Sequence, residues 1–237
     1  MDTIKGLFPL LFVLAVPVLL IASNVRWAVN ELQLYGYGFR TYQIAQVTGI
    51  SEPDLERTAH TMRDYFNSSQ EPLQVRVAIA GQQRELFTQR EMLHMADVKG
   101  LVRGVYKVQG GVIVYLLLYT GLGILLAGRA FLPRLAKYLL YGCGLTVAVV
   151  ALVGVASLVS FGPLFTLFHV ISFSNDLWML DPRQFYLTRL FPEGFWRDAT
   201  LFVGLATVVE ALLLAGASAA FLHRRSSRQT REPLRIA

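Results

Sequence analysis

The stretch YLLYGCGLTVAVVALVGVASLV, Tyr138 to Val159, decides the fold: its 22 residues carry no formal charge. A helix of about 20 apolar residues is enough to cross roughly 30 Å of hydrocarbon. Three further runs read the same way, Leu7 to Ser23, Val112 to Ala127 and Ala199 to Leu222, and the one formal charge within all four is Glu210. The whole chain agrees. It has 237 residues, 54% of them hydrophobic and 16% charged, where a soluble domain carries about 25% charged residues. Its mean hydropathy is +0.46. The sequence therefore predicts an all-α membrane bundle of four transmembrane helices.

The net charge of +6 sets an orientation. Basic residues gather in short segments: Lys5; Arg129, Arg134 and Lys137; then Arg224, Arg225, Arg228, Arg231 and Arg235. Lys and Arg in short loops stay on the cytoplasmic side, so both termini and the loop around Pro133 are expected on the cytoplasmic side of the membrane. Segments 24–111 and 160–198 are then expected outside. The basic tail, 223–237, calls for no nucleic acid, because attraction to an anionic inner leaflet explains it. The first run is longer than the h-region of a signal peptide and lacks a small-x-small cleavage pair near Ser23, so segment 1–23 reads as an uncleaved first span. The remaining divisions are 112–159 for the second and third spans with their loop, and 199–222 for the fourth span. The lone cysteine, Cys143, reads as packing.

The outer segment 24–111 predicts a small extracytoplasmic α+β domain. Ser51 with Asp54 forms a capping box for a helix ending at Asn67-Ser68-Ser69. Leu73 to Ile79 alternates as a half-buried strand, Ala80 to Gln83 turns, and Arg84 to Phe87 returns. Thr88 with Glu91 caps a second helix running from Gln89 through Lys107 towards the second span. The segment 160–198 is aromatic, broken by Pro163, Pro182 and Pro192, and predicts an interfacial or re-entrant helix over Gly162 to Ser172 with a short helix near Gln184 to Leu190.

Two constellations carry chemistry. In EMLHMADVK (91–99), His94 and Asp97 lie three apart on one helix face, the spacing for a carboxylate that orients an imidazole. In the second, His169 precedes Asn175, Asp176 and Trp178, whose amide, carboxylate and indole line a polar pocket at membrane level. The bland readings are a helix-stabilising His–Asp pair and a snorkelling interfacial histidine. His60 reads as a solvated residue. Glu210 reads as a hydrogen-bonded contact between helices before it reads as a functional carboxylate. With no third donor of the right kind, the two histidines give little support for a metal site.

These same stretches, EMLHMADVK and LFHVISFSNDLWMLDPRQFYLTRLFPEGFW (167–196), resemble the Lit-type family of bacterial integral membrane proteins, the lipoprotein intramolecular transacylases, once known only as a domain of unknown function. The resemblance covers nearly the whole chain. It implies an acyltransferase that moves the sn-2 acyl chain of a diacylglyceryl-cysteine lipoprotein onto that cysteine's own α-amino group, leaving a lyso-form lipoprotein. The implied partners are membrane lipids and the diacylated lipoprotein, with no cofactor. By motif match the implied catalytic histidines are His94 and His169 as an acid/base pair, with Asp97 orienting His94. Asn175, Asp176 and Trp178 are expected at the substrate, and Asn175, the Trp178 indole or a nearby arginine as oxyanion donor. Two other classes compete: a non-catalytic lipid-binding or assembly protein, and a membrane protein using the two histidines as metal ligands.

Overall fold

The structure, a computed structural model, describes residues 2–231, with side chains described over 6–227. Lys5, Arg228, Arg231 and Arg235 of the basic segments lie outside the described side chains. Among the described residues, four helices are long and apolar enough to cross a membrane: Gly6–Asn30, Gln89–Ala130, Leu132–Val159 and Glu193–Ser227, each containing one of the four runs. As helices they are α1 (Asp2–Asn30), α5 (Gln89–Ala127), α6 (Leu132–Val159) and α9 (Glu193–Arg231). Between α1 and α5 come α2 (Leu32–Thr41), α3 (Ile44–Thr48), α4 (Glu52–Asn67) and the strands β1 (Arg76–Ile79) and β2 (Gln82–Glu85). Between α6 and α9 come α7 (Phe161–Ser172) and α8 (Tyr186–Leu190). The 39 residues of α5 would extend about 58 Å at 1.5 Å per residue. Its charged first half, through Lys107, lies before the apolar run and is read here as outside the hydrocarbon.

The chain divides into two compact units. One comprises residues 1–24, 107–154 and 203–237, the other 25–106 and 155–202. In the first, Phe12, Val16, Leu20, Cys143 and Ala211 form a buried cluster. Helices α1 and α6 touch at Gly142. A Cβ there would stand 2.7 Å from Val16 Cβ and 3.1 Å from the Val13 carbonyl oxygen, neither of which a rotamer change moves. Small residues permit such approach between spans. Gly142→Ala is expected to destabilise the protein by about 1–3 kcal/mol, read as a lower Tm in detergent; an unchanged Tm would contradict this packing. Two amide side chains of this unit find partners within it. Asn24 Nδ2 donates to Glu210 Oε2 at 2.8 Å and to the Leu20 carbonyl at 3.0 Å, and Gln109 Nε2 donates to Ser23 Oγ at 2.9 Å. Glu210 is thus a hydrogen-bonded contact between α9 and α1.

In the second unit, helix α4 begins where Ser51 Oγ accepts from Asp54 N. Strands β1 and β2 pair antiparallel, Arg76 opposite Glu85 and Ile79 opposite Gln82. The two residues between them, Ala80 (φ 52°) and Gly81 (φ 79°), both have positive φ, the requirement of a tight hairpin turn. Leu86 N also donates to the Val75 carbonyl at 2.8 Å, so pairing outlasts the regular strands. Helices α2 and α3 are new relative to the sequence reading. Helix α2 holds Gly36 and Gly38 and α3 is five residues long, so neither has the propensity or length that periodicity detects. Tertiary packing fixes α2: a Cβ on Gly38 would meet the Phe195 ring at 2.4 Å, and Tyr37 and Tyr42 hydroxyls both donate to Asp198 Oδ2, at 3.0 and 2.7 Å.

Candidate functional site

All six residues singled out by sequence lie in the second unit, on α5, α7 and the loop between α7 and α8. Helix α5 opens with Thr88 as foreseen: Thr88 N donates to Glu91 Oε2 at 2.7 Å and Glu91 N to Thr88 Oγ1 at 3.4 Å. One helical turn later comes His94. Helix α7 is apolar almost throughout and carries His169 in its last turn.

The two histidine rings, 75 positions apart, have centroids 6.1 Å apart at an interplanar angle of 32°. They are 6% and 7% exposed. Around His169 stand Phe165 at 4.2 Å, Trp178 at 5.0 Å, Phe168 at 5.1 Å and Phe173 at 5.7 Å, centroid to centroid. Phe173 also meets His94 edge to face at 5.3 Å. The other side of α7 is the reverse: Leu167, Phe168, Val170 and Ile171 are exposed. A helix that hides its one imidazole and exposes branched and aromatic hydrocarbon suits a lipid surface, not water.

Polar contacts then fasten the α7–α8 loop to α5. Arg90 Nη2 donates to the Asp176 carbonyl, and Asn175 Nδ2 donates to Asp97 Oδ2 at 2.9 Å. Asp97 therefore holds Asn175, and the expected hydrogen bond from a His94 N–H to Asp97 does not form: Nδ1 of His94 is buried without a partner. Spacing places Asp97 and His94 on the same side of α5, but the loop amide takes the carboxylate. Asn175 Oδ1 also accepts from Leu177 N at 3.0 Å, so this residue shapes the loop. Asp176 engages through its main chain, and its side chain is exposed.

A family model for the lipoprotein intramolecular transacylase Lit matches residues 10–196 of the chain. The chain belongs to the Lit family. No curated protein matches it by sequence. Among solved structures it is similar to the membrane integral lipoprotein intramolecular transacylase Lit from Bacillus cereus, at 18% identity and a TM-score of 0.77, over 96% of this chain and 100% of that one. Two histidine variants of the same protein, one to arginine and one to alanine, match with TM-scores of 0.73 and 0.74, also at 18% identity; coverage is 96% of this chain and 96% of the other for the first, and 95% and 97% for the second. At that identity the likeness speaks for the fold.

Within this Lit-family chain, Glu91 is the residue that sequence reasoning undervalued. It is fully buried. Besides closing the capping box, its Oε1 accepts from Leu187 N at 2.7 Å, tying the start of α5 to the start of α8. The capping box announced one of these bonds; the other partner lies 96 positions away and leaves no local signal.

The charge state of the pair follows from burial. Desolvation holds His94 down to about 4, with repulsion from His169 adding to this and the Asp97 carboxylate opposing it. His169 is also lowered by burial, against its Nδ1 contact with the Phe165 carbonyl oxygen. Both rings are neutral at pH 7. A free imidazole, with a pKa near 6.5, is about nine-tenths protonated at pH 5.5. Nuclear magnetic resonance of histidine-labelled protein is expected to find His94 still neutral there; a ring protonated at pH 5.5 would contradict its burial. The sign for stability follows. The unfolded chain takes up the proton near 6.5 and the folded chain near 4, so the contribution is complete above about 6.5 and is lost as pH falls towards 4.

Two concavities of the surface lie in this unit. One of about 390 Å³ is lined by Ser157, Phe161, Glu193 and Arg197 among others, and one of about 300 Å³ by Tyr42, Val47 and Arg189 among others. Neither includes a histidine. No third His, Cys, Asp or Glu joins the pair as a metal-ligating group among the described residues.

Proposed function

We propose that this chain transfers the sn-2 acyl chain of a diacylglyceryl-cysteine lipoprotein to the α-amino group of the same cysteine. The observation that carries the reading is the close pair of buried neutral imidazoles, His94 on α5 and His169 on α7, the latter helix exposing apolar side chains such as Val170 and Ile171. Membership of the Lit family supports the substrate class. The basic residues Arg129, Arg134, Lys137, Arg224 and Arg225 support cytoplasmic termini and an outer side for segments 24–111 and 160–198.

Nucleophile and electrophile belong to one substrate, so no enzyme nucleophile is required. The amine nitrogen attacks the ester carbonyl carbon through a ring of about eight members, which makes orientation a large part of the barrier. The α-amine has a free pKa near 8, so about a tenth of it is neutral at pH 7 and able to attack. As the N–C bond forms, the amine must lose a proton. As the bond between the acyl carbon and the glyceryl C2 oxygen breaks, that oxygen must gain one.

The tautomers divide the work. His169 Nδ1 lies 2.7 Å from the Phe165 carbonyl oxygen, which only accepts, so the hydrogen sits on Nδ1 and Nε2 keeps its lone pair. His169 Nε2 takes the proton from nitrogen and passes it to the departing oxygen, so one ring closes the proton balance. His94 cannot also be an acid, because a neutral imidazole that gives up its hydrogen becomes an imidazolate. Its buried Nδ1 has no partner, and a bare lone pair there costs less than a bare N–H, which puts the hydrogen on Nε2. That N–H donates to the oxyanion of the tetrahedral intermediate. Asp97, Asn175 and Asp176 hold the loop that carries Trp178.

Expression in a bacterial host lacking its own N-acylating enzyme tests this reading. Mass spectrometry of a lipoprotein N-terminus is expected to show an amide-linked chain and a free sn-2 hydroxyl. Unchanged diacyl peptide, with folded protein present in the membrane, would favour the lipid-binding or assembly reading.

A further inference from the structure

The transacylase reading asks His169 to hold a proton for the moment between nitrogen and oxygen, in a place where charge is costly. Burial of an imidazolium is ordinarily offset by a carboxylate. None bonds to this ring: the Nδ1 contact is the neutral Phe165 carbonyl, and the ionisable residue across from it on α5 is His94. Asp97 on α5 is occupied by Asn175, Asp176 on the loop turns its carboxylate to solvent, and from α9 the group packed on Phe165 is the uncharged Trp196. What surrounds His169 is aromatic rings, Phe168 edge to face and Phe165, Phe173 and Trp178 tilted. Trp178 lies over the ring at 5.0 Å and 33°, within the distance at which an indole, the strongest of the aromatic partners, attracts a cation.

We infer that Trp178 is the positioning residue for His169, stabilising its protonated form through the indole π face. The inference rests on the transacylase reading for its purpose, though not for its measurement. A carboxylate at this position would keep the ring charged and unable to accept a proton. A π face favours the cation by a smaller amount, so the proton is held and then released. The sequence places Trp178 at the substrate, with its indole one candidate oxyanion donor; the role of its face through His169 is additional to that expectation.

Fluorination weakens the π face of tryptophan with little change of shape, which separates electrostatics from packing. The full-length protein, labelled at histidine, is prepared in detergent with ordinary, monofluorinated and more heavily fluorinated tryptophan, and His169 is titrated by nuclear magnetic resonance. The His169 pKa is expected to fall stepwise with fluorine content, by about 0.5–1 pH unit over the series. The fall is to vanish in Trp178→Phe protein grown on the same analogues, which removes contributions from Trp27 and Trp196. A His169 titration indifferent to fluorination overturns the inference, whatever happens to turnover. An intact stepwise shift in protein that forms no amide product would instead count against the transacylase reading alone.

Discussion

His169→Gln is expected to lower the rate of acyl transfer by about 10²–10⁴, the range for loss of a general base, while His94→Gln retains a measurable part of it. The asymmetry follows from the nitrogen each role uses. A glutamine amide sits where imidazole Nε2 would be and carries N–H groups, so at position 94 it still donates to an oxyanion. At position 169 the same amide has no basic lone pair, and the proton shuttle is gone. His94→Ala, which removes the donor outright, is expected to lose about 10²–10³. Rates come from mass spectrometry of a synthetic diacylated lipopeptide in liposomes, with thermal unfolding showing that each variant is folded. Equal losses for the two glutamine variants, or the opposite order, would contradict the division of roles.

The second large effect is on stability, at Glu91. Its carboxylate accepts two main-chain N–H groups, from Thr88 and Leu187, in a fully buried position. Glu91→Ala strands both donors, and an unsatisfied buried donor costs about 1–3 kcal/mol. Glu91→Gln is nearly as harmful, because the amide accepts at oxygen but points N–H at the other N–H. A fall in Tm on the order of 10 °C is expected for both. A glutamine variant as stable as the parent would show that Glu91 does not bind the two helix starts together.

What the chain discloses by itself depends on how local each signal is. The four membrane helices rest on apolar runs such as Tyr138 to Val159 and are read directly. The capping boxes at Ser51 and Thr88 use partners three residues away: the one at Thr88 forms in both directions, while at Ser51 the hydroxyl caps Asp54 N and the Asp54 carboxylate accepts from that hydroxyl rather than from the Ser51 main chain. Helices α2 and α3 escape because their stability comes from contacts such as Gly38 against Phe195, not from periodicity. At the site, His94 and His169 stand out as rare polar residues in apolar surroundings, and the structure brings them to 6.1 Å. Asp97 shows the opposite case. Spacing along α5 pairs it with His94, but a loop residue 78 positions on takes its carboxylate, and helix geometry carries no information about that loop. The π face of Trp178 over His169 is hidden for the same reason.

The most direct measurement mixes two synthetic diacylglyceryl-cysteine peptides of different mass in liposomes with the purified protein, only one peptide carrying an isotopically heavy sn-2 chain. The account predicts that every heavy amide-linked chain is found on the peptide that brought it in, with that peptide's glyceryl C2 hydroxyl free. Heavy chains distributed over both peptides, or heavy chains remaining as esters, would contradict it.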